Sequence, residues 1–453
     1  MKTSRRHFLA SSGCGISAAA LLASLDRLGQ VSAMTMQTPA ANDYRALVCI
    51  FLYGGNDANN MIIPHTNYAE YNAVRGPNSG INIPQASLLK IAAPSHGADF
   101  GLHPNMSGMQ TLYNQGHLAV LCNTGPLARP LTRSQYLGGA PRPANLFSHS
   151  DQQSQWQSAR TATITNAPTG WGGRTADATA GLNGGTSFPM VISTAGISLF
   201  TTGQNARPLV PGTNLAGFPN PPDNDARYKS LRAIMAMNTG GALTSASNTI
   251  NSAAIDNVAR LNAATSGGVL ATAFPNTTLG NQLRQIALII RARGTLGLKR
   301  QIFFASLGGF DNHTNQLAAQ GSLLLQVSQA MKAFYDATVE MGVAAQVTSF
   351  TLSDFGRTFQ AAAGAPAGSD HAWGNHQLLM GDAVRGGNFH GRFPTLKLQG
   401  PDDASSEGRW IPTTAVDQLG ATLARWYGLP DTALAAVFPN LSSFLTPDLG
   451  FMM

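Results

Sequence analysis

Leu47-Val48-Cys49-Ile50-Phe51-Leu52-Tyr53-Gly54-Gly55-Asn56-Asp57 is the stretch that decides the fold class. Its apolar residues follow one another without alternation, so the segment reads as a strand covered on both faces, the pattern of a parallel sheet. The run breaks at two glycines, which let the backbone turn sharply and approach a ligand closely. Asp57 then supplies an anionic oxygen at the strand's end. An Asx-type turn, in which Asn56 and Asp57 satisfy local amides, accounts for the same four residues equally well.

The arrangement recurs along the chain. Further buried strands are predicted at 118–122, 188–193, 301–307 and 346–352, and helical spacing of apolar residues at 279–292, 316–341 and 414–427, the last stopped by Gly428 and Pro430. Strands alternating with helices predict an α/β fold: a doubly wound, mostly parallel sheet with helices on both faces. Loops beyond the carboxyl ends of such strands open onto a common crevice. The region 194–278 reads as an insertion, and 242–276, rich in Ala, Ser, Thr and Asn, as its loosely amphipathic part. No linker divides the chain, so one large domain over 34–453 is the simplest organisation. Low charge (11%) with 48 glycines and 25 prolines fits long, ordered, uncharged loops.

Carboxylates and imidazoles concentrate where the later strands stop. Gly308-Gly309-Phe310-Asp311-Asn312-His313 places Asp311 and His313 two residues apart, on one side of an extended backbone and able to converge on one ion. Ser353-Asp354 repeats the strand-then-carboxylate pattern. Ser369-Asp370-His371-Ala372-Trp373-Gly374-Asn375-His376 adds imidazoles in a loop whose Gly368 and Gly374 permit irregular geometry. Of ten histidines, His313, His371, His376 and His390 fall between 311 and 390. Imidazoles and carboxylates crowded into glycine-rich loops need hydrogen-bond partners or a cation. Arg357 is a candidate grip for an anionic substrate, since a guanidinium holds phosphate or sulfate with two parallel bonds; it serves equally as a carboxylate's structural partner. Ser148, before a helix predicted at 152–160, is a candidate nucleophile, with an ordinary N-cap as the alternative. The sequence lacks a Gly-x-Ser-x-Gly elbow, a phosphate-cradling Gly-Lys-Ser/Thr loop and a helical His-Glu-x-x-His.

The N-terminus, Ser4-Arg5-Arg6-His7-Phe8-Leu9, followed by a mildly apolar stretch to Leu25 and the ending Val31-Ser32-Ala33, fits a cleavable twin-arginine signal over 1–33. Its serines and glycines make it too weakly hydrophobic for a membrane anchor. Such a signal implies export of a folded chain to a periplasmic or outer location, with no integral membrane segment after processing. Lys2, Arg5, Arg6, Arg27 and Asp26 carry +3 of the net +7, so the processed chain is left with +4 and no Lys/Arg run, which gives no case for nucleic acid. Cys49 and Cys122 sit in apolar runs and are expected to be buried thiols, though an oxidising compartment would permit a bridge between neighbouring strands.

These segments together resemble the twin-arginine-exported family known as domain-of-unknown-function family 1501. They include 51–57, Arg133-Ser134, Ser148-His149, 308–313, Ser353-Asp354-Phe355-Gly356-Arg357-Thr358, Asp370-His371, 381–391 and Phe438-Pro439. The resemblance implies an alkaline phosphatase/sulfatase-like α/β fold, whose members commonly use two metal ions to cleave phosphate or sulfate esters. It assigns Asp57 to the metal-binding aspartate after the first strand and Ser148 to the nucleophile. Asp311 and His313 fall to one metal, Asp354 to the other, and His371 closes the set. Phe355 stands where a histidine often follows the later aspartate, so either one metal is absent or His376 replaces the missing ligand.

The reading that follows is a periplasmic metal-dependent hydrolase of small anionic phosphate or sulfate esters. It would use divalent zinc, manganese, calcium or magnesium, two ions ~4 Å apart stabilising the attacking and leaving oxygens, with Ser148 or a metal-bound hydroxide attacking in line. The alternative is a non-catalytic exported protein of the same fold that binds a partner protein or carbohydrate.

Overall fold

The computed structural model describes residues 43–161, 167–211, 225–237, 241–364 and 366–453. The expected signal at 1–33 lies outside the described residues, and so does part of the expected insertion. From Tyr44 to Met453 the chain forms one compact unit.

Strand β1 (Arg45–Leu52) emerges where the opening apolar run predicts it, and all but its first residue are buried. It pairs in parallel with β7 (Arg300–Leu307) on one side and β8 (Val347–Ser353) on the other. Beyond β7 lies β6 (Val191–Ser193), also parallel. Beyond β8 come β9 (Asn375–Met380) and β5 (Leu118–Gly125), with short β10 (Phe389–His390) and β11 (Thr414–Ala415) parallel to β5. Within this sheet β9 runs against both its neighbours. A separate antiparallel sheet contains β2 (Ile62–Pro64), β3 (Leu89–Ala93) and β4 (Ala98–Leu102) in the order β2-β4-β3. The mainly parallel α/β sheet is therefore as expected, with β1 at the point where neighbours are added on both sides, the position at which such sheets open a crevice.

Helices close both faces. One layer holds α3 (Ser107–Asn114), α6 (Thr278–Arg291) and α7 (Gln316–Glu340). The other holds α4 (His149–Ser158), α5 (Trp171–Thr179) and α8 (Val416–Tyr427). Here Trp171, fully buried, stacks on Phe350 of β8 at 5.5 Å and meets Phe200 edge-on at 4.7 Å. Burial of a large apolar side chain of this kind contributes about 1.5–3 kcal/mol, which anchors the layer to the sheet. Two small helices precede α3: α1 (Ala58–Met61) and α2 (Tyr68–Arg75). Between β6 and α6 the described residues include helices Ala226–Ala236 and Ala242–Thr265, in which Leu261 alone is buried. Cys49 and Cys122 are buried free thiols, on strands separated by β8 and β9. No described helix is long and apolar enough to cross a membrane.

Two boundaries differ from expectation in ways that matter. The helix predicted to start at 152 begins at His149, with Ser148 in the N-cap position but making no side-chain capping bond, so His149 stands in its first turn. Asn375 and His376, read as the end of a loop that starts at Ser369, open the buried strand β9.

Candidate metal centre

The loops after β1, β7 and β8, the loop entering antiparallel β9 and the start of α4 all gather at the carboxyl rim of the parallel strands. Close approach there depends on glycine. Gly54 (φ +112°) lies so near the β7 loop that a Cβ would meet the Asp311 nitrogen at 2.4 Å, and at Gly55 (φ +83°) a Cβ would strike the Phe355 ring at 2.4 Å. Arg357, fully buried, then ties these loops together by donating to the carbonyls of Gly54, Gly55, Phe310 and Ser369 and to Asp311 Oδ1.

Around Asp311 Oδ1 three imidazole nitrogens converge. His313 Nε2 lies at 3.0 Å, His371 Nε2 at 3.3 Å and His149 Nε2 at 3.5 Å, while His313 and His371 Nε2 are 2.9 Å apart. Each outer nitrogen has its own environment. His371 Nδ1 donates to the Phe147 carbonyl at 2.8 Å, and His149 Nδ1 donates to Asp354 Oδ2 at 2.7 Å. In the neutral ring that leaves Nε2 of both histidines as a bare lone pair facing Asp311. His313 Nδ1 is 3.8 Å from Asp370 Oδ1, beyond hydrogen-bond reach. His149 Nε2 is buried and makes no hydrogen bond.

The charges are mutually tuned. Burial would raise the Asp311 carboxyl, but the Arg357 hydrogen bond and charge, helped by His313 and His149, hold it at about 2. The hydrogen bond to Asp354 pushes His149 up against the opposing effect of burial. Burial pushes His371 down, with Arg357 and His149 adding to the effect.

The expected site residues thus fall into two groups. Asp311, His313 and His371 come together. Asp354, expected as a direct ligand, lies behind His149: Oδ1 accepts from the Gly54 amide at 3.2 Å, and Oδ2 from His149 and from Gln153 Nε2 at 2.8 Å. Asp57 is spent elsewhere. Its Oδ2 accepts from Arg75 Nη1 and Gln316 Nε2, each at 2.5 Å, and its Oδ1 from the Asn59 amide and side chain, each at 3.1 Å, and from Arg75 Nη2 at 3.2 Å. Five donors exceed the roughly four lone-pair directions of a carboxylate, so this geometry leaves Asp57 nothing for a cation.

His376 is also removed from the cluster. It lies within β9, accepts from the Asn123 amide at 3.0 Å and stacks on Phe393 at 4.7 Å, and burial drives it down to about 3. Arg357, expected as an anion grip, has its donors turned onto backbone and Asp311. Ser148 Oγ donates to Asp151 Oδ2 at 2.7 Å and does not cap its helix. His149 was the residue missed. Its signal lies in Phe147-Ser148-His149-Ser150-Asp151, where the serine at a helix start masks it, because hydroxyls are usual there.

The fit to a metal ion rests on donor spacing and chemistry. Donors around a four-coordinate ion bonded at about 2.0–2.1 Å lie about 3.3 Å apart; the Asp311, His313 and His371 donors are 2.9–3.3 Å from one another, and His149 Nε2 is 3.5 Å from Asp311 Oδ1. Two imidazoles have their far nitrogens fixed by an oxygen acceptor, the usual support for metal-binding histidines. The residues therefore define an α/β protein with a histidine-and-carboxylate cluster, fit for a cation, at the carboxyl rim of its sheet.

The chain belongs to the family described as Protein of unknown function (DUF1501), whose model matches residues 44–436. No protein of curated function matches it. Among solved structures it is similar to the PsFucS1 sulfatase from Pseudoalteromonas sp. (9% identity, TM-score 0.38, covering 86% of this chain and 68% of that one). It is also similar to the lipoteichoic acid synthase LtaP from Listeria monocytogenes (6%, 0.32, 90% and 78%). A third is the C-terminal periplasmic domain of EcEptC from Escherichia coli (10%, 0.36, 88% and 88%). Likenesses of this strength carry no argument about what the chain does.

Proposed function

We propose that this protein is an exported, metal-dependent hydrolase of phosphate or sulfate esters with an alkaline phosphatase/sulfatase-like core. One observation carries the proposal: Asp311 Oδ1, His313 Nε2 and His371 Nε2, brought from two loops 58 residues apart, form a triangle with sides of 2.9–3.3 Å. A divalent ion held there supplies Lewis acidity toward an ester oxygen. Arg357 fixes the Asp311 carboxylate in its ionised form, and the Phe147 carbonyl fixes the His371 ring. Ser148 is the proposed nucleophile: its Oγ would attack the phosphorus or sulfur as the bond to the leaving alkoxide breaks, Asp151, already accepting from the hydroxyl, would take the hydroxyl proton, and water would then hydrolyse the seryl ester to release phosphate or sulfate.

A second reading, a non-catalytic binder of a partner protein or carbohydrate, is favoured by Arg357 and Arg409. Both guanidiniums near the cluster are engaged, Arg409 with the His371 carbonyl, Asp370 and Glu407, so an ester anion would find neither free. Elemental analysis followed by assay on aryl phosphates and aryl sulfates separates the readings. The hydrolase reading expects bound metal and turnover that Asp311→Ala and Ser148→Ala abolish. Stoichiometric metal without turnover on either ester class leaves the binder, and absence of metal removes the hydrolase.

A further inference from the structure

We infer that the centre holds a single borderline transition metal ion, with His149 as a fourth protein ligand, Asp354 as that ligand's outer carboxylate, and Arg75 in place of a second cation. The inference rests on the metal reading above but goes further in number, ligand set and ion class.

His149 carries the first part. Its Nδ1 is held by a wholly buried carboxylate at 2.7 Å, and its Nε2 is buried, makes no hydrogen bond and faces Asp311 Oδ1 at 3.5 Å. An imidazole clamped from behind with its front nitrogen unmet is costly in a folded protein unless that nitrogen has a partner. The carboxylate–histidine arrangement is the one that orients metal ligands and raises their basicity. Asp354 is itself fixed by Gln153 and the Gly54 amide, so the orienting group is rigid.

Ion class follows from the donors. Three imidazole nitrogens and one carboxylate oxygen suit zinc or a neighbouring first-row ion. Magnesium and calcium demand mostly oxygen ligands.

The number follows from Asp57 and Phe355. The carboxylate that a second ion would need is neutralised inside the fold by Arg75, which is fully buried and also donates to the carbonyls of Thr358 and Phe359 at 2.7 Å each. The Phe355 ring fills the space beside the centre, 4.5 Å from the His371 ring and 4.8 Å from that of His149, and offers no donor atom.

The test is zinc titration of the purified, chelator-stripped protein, with affinity read by chromophoric-chelator competition and stoichiometry by native mass spectrometry. Wild type is expected to bind one zinc ion. Asp354→Asn should weaken it about 10–100-fold, as loss of an outer-shell partner does, and His149→Ala by more, with circular dichroism confirming that each variant folds. On wild type alone, ¹⁵N-histidine spectra should report zinc at Nε2 of His149, His313 and His371 and leave His376 unmoved. Two zinc ions per chain, or a His149 resonance unchanged on saturation, overturns this inference while leaving metal binding intact. No zinc binding by wild type overturns the metal reading beneath it.

Discussion

Arg75 lies wholly buried against Asp57, whereas the carboxylate that Arg357 meets, Asp311, is half exposed, and that difference separates a structural pair from a ligand. Breaking a buried pair strands a charge and costs about 3–5 kcal/mol, while an exposed partner is worth about 1 kcal/mol or less. In metal-free protein, Asp57→Ala should therefore lower the denaturant midpoint far more than Asp311→Ala; equal losses would return Asp57 to the candidate ligands. His376 makes a separate prediction. Burial holds its ring neutral down to about pH 3 in the folded state, while the unfolded chain takes up the proton near pH 6.5. The folded state thus binds fewer protons across that window, and stability falls as pH drops from about 6.5 toward 3. His376→Gln should flatten this part of the profile, and an unchanged slope would show that the ring is accessible. In the sequence His376 shares a glycine-flanked loop with His371, but Asn375–Met380 is a strand, which buries His376 between the Asn123 amide and the Phe393 ring.

The strands announced themselves unequally. β1, β5 and β7 carry consecutive apolar residues and are legible from those runs alone. β9 opens with Asn375-His376-Gln377, whose polar side chains meet partners distant in sequence: Asn375 donates to the Asn56 and Phe355 carbonyls, and Gln377 Oε1 accepts from Thr351 Oγ1. No local pattern encodes such partners. The metal-type cluster was half legible for the same reason. Asp311 and His313 are neighbours in sequence and His371 lies in a conspicuous loop, but His149 enters through the first turn of α4, more than 150 residues before them. At the loop after β1 the rim elements meet tightly. Gly54→Ala would force a Cβ to 2.4 Å from the Asp311 nitrogen at a φ of +112°, separating the loops that carry the ligands. We expect a lower melting temperature and weakened zinc binding together, whereas Gly181→Ala, where a Cβ meets nothing within 4 Å, should change neither. Full zinc affinity in Gly54→Ala would mean that the approach of these loops does not set the site.

For the molecule as a unit, the sheet acts as a rigid frame whose β1 switch point delivers ligands from both directions of strand addition. The helices Ala226–Ala236 and Ala242–Thr265 stand outside that frame, with Ile234, Leu243 and Ile250 exposed and Leu261 alone buried. Replacing 212–254 by a short linker should leave cooperative unfolding and zinc binding in place; loss of zinc binding would show that this region supports the rim. The account as a whole comes down to where one ion sits. Anomalous diffraction at the zinc edge from zinc-loaded crystals should give a single peak bounded by His149, His313 and His371 Nε2 and the Asp311 carboxylate, with Asp354 behind His149 and Arg75 still on Asp57. A peak against Asp57 or His376, two peaks at the rim, or none, would contradict it.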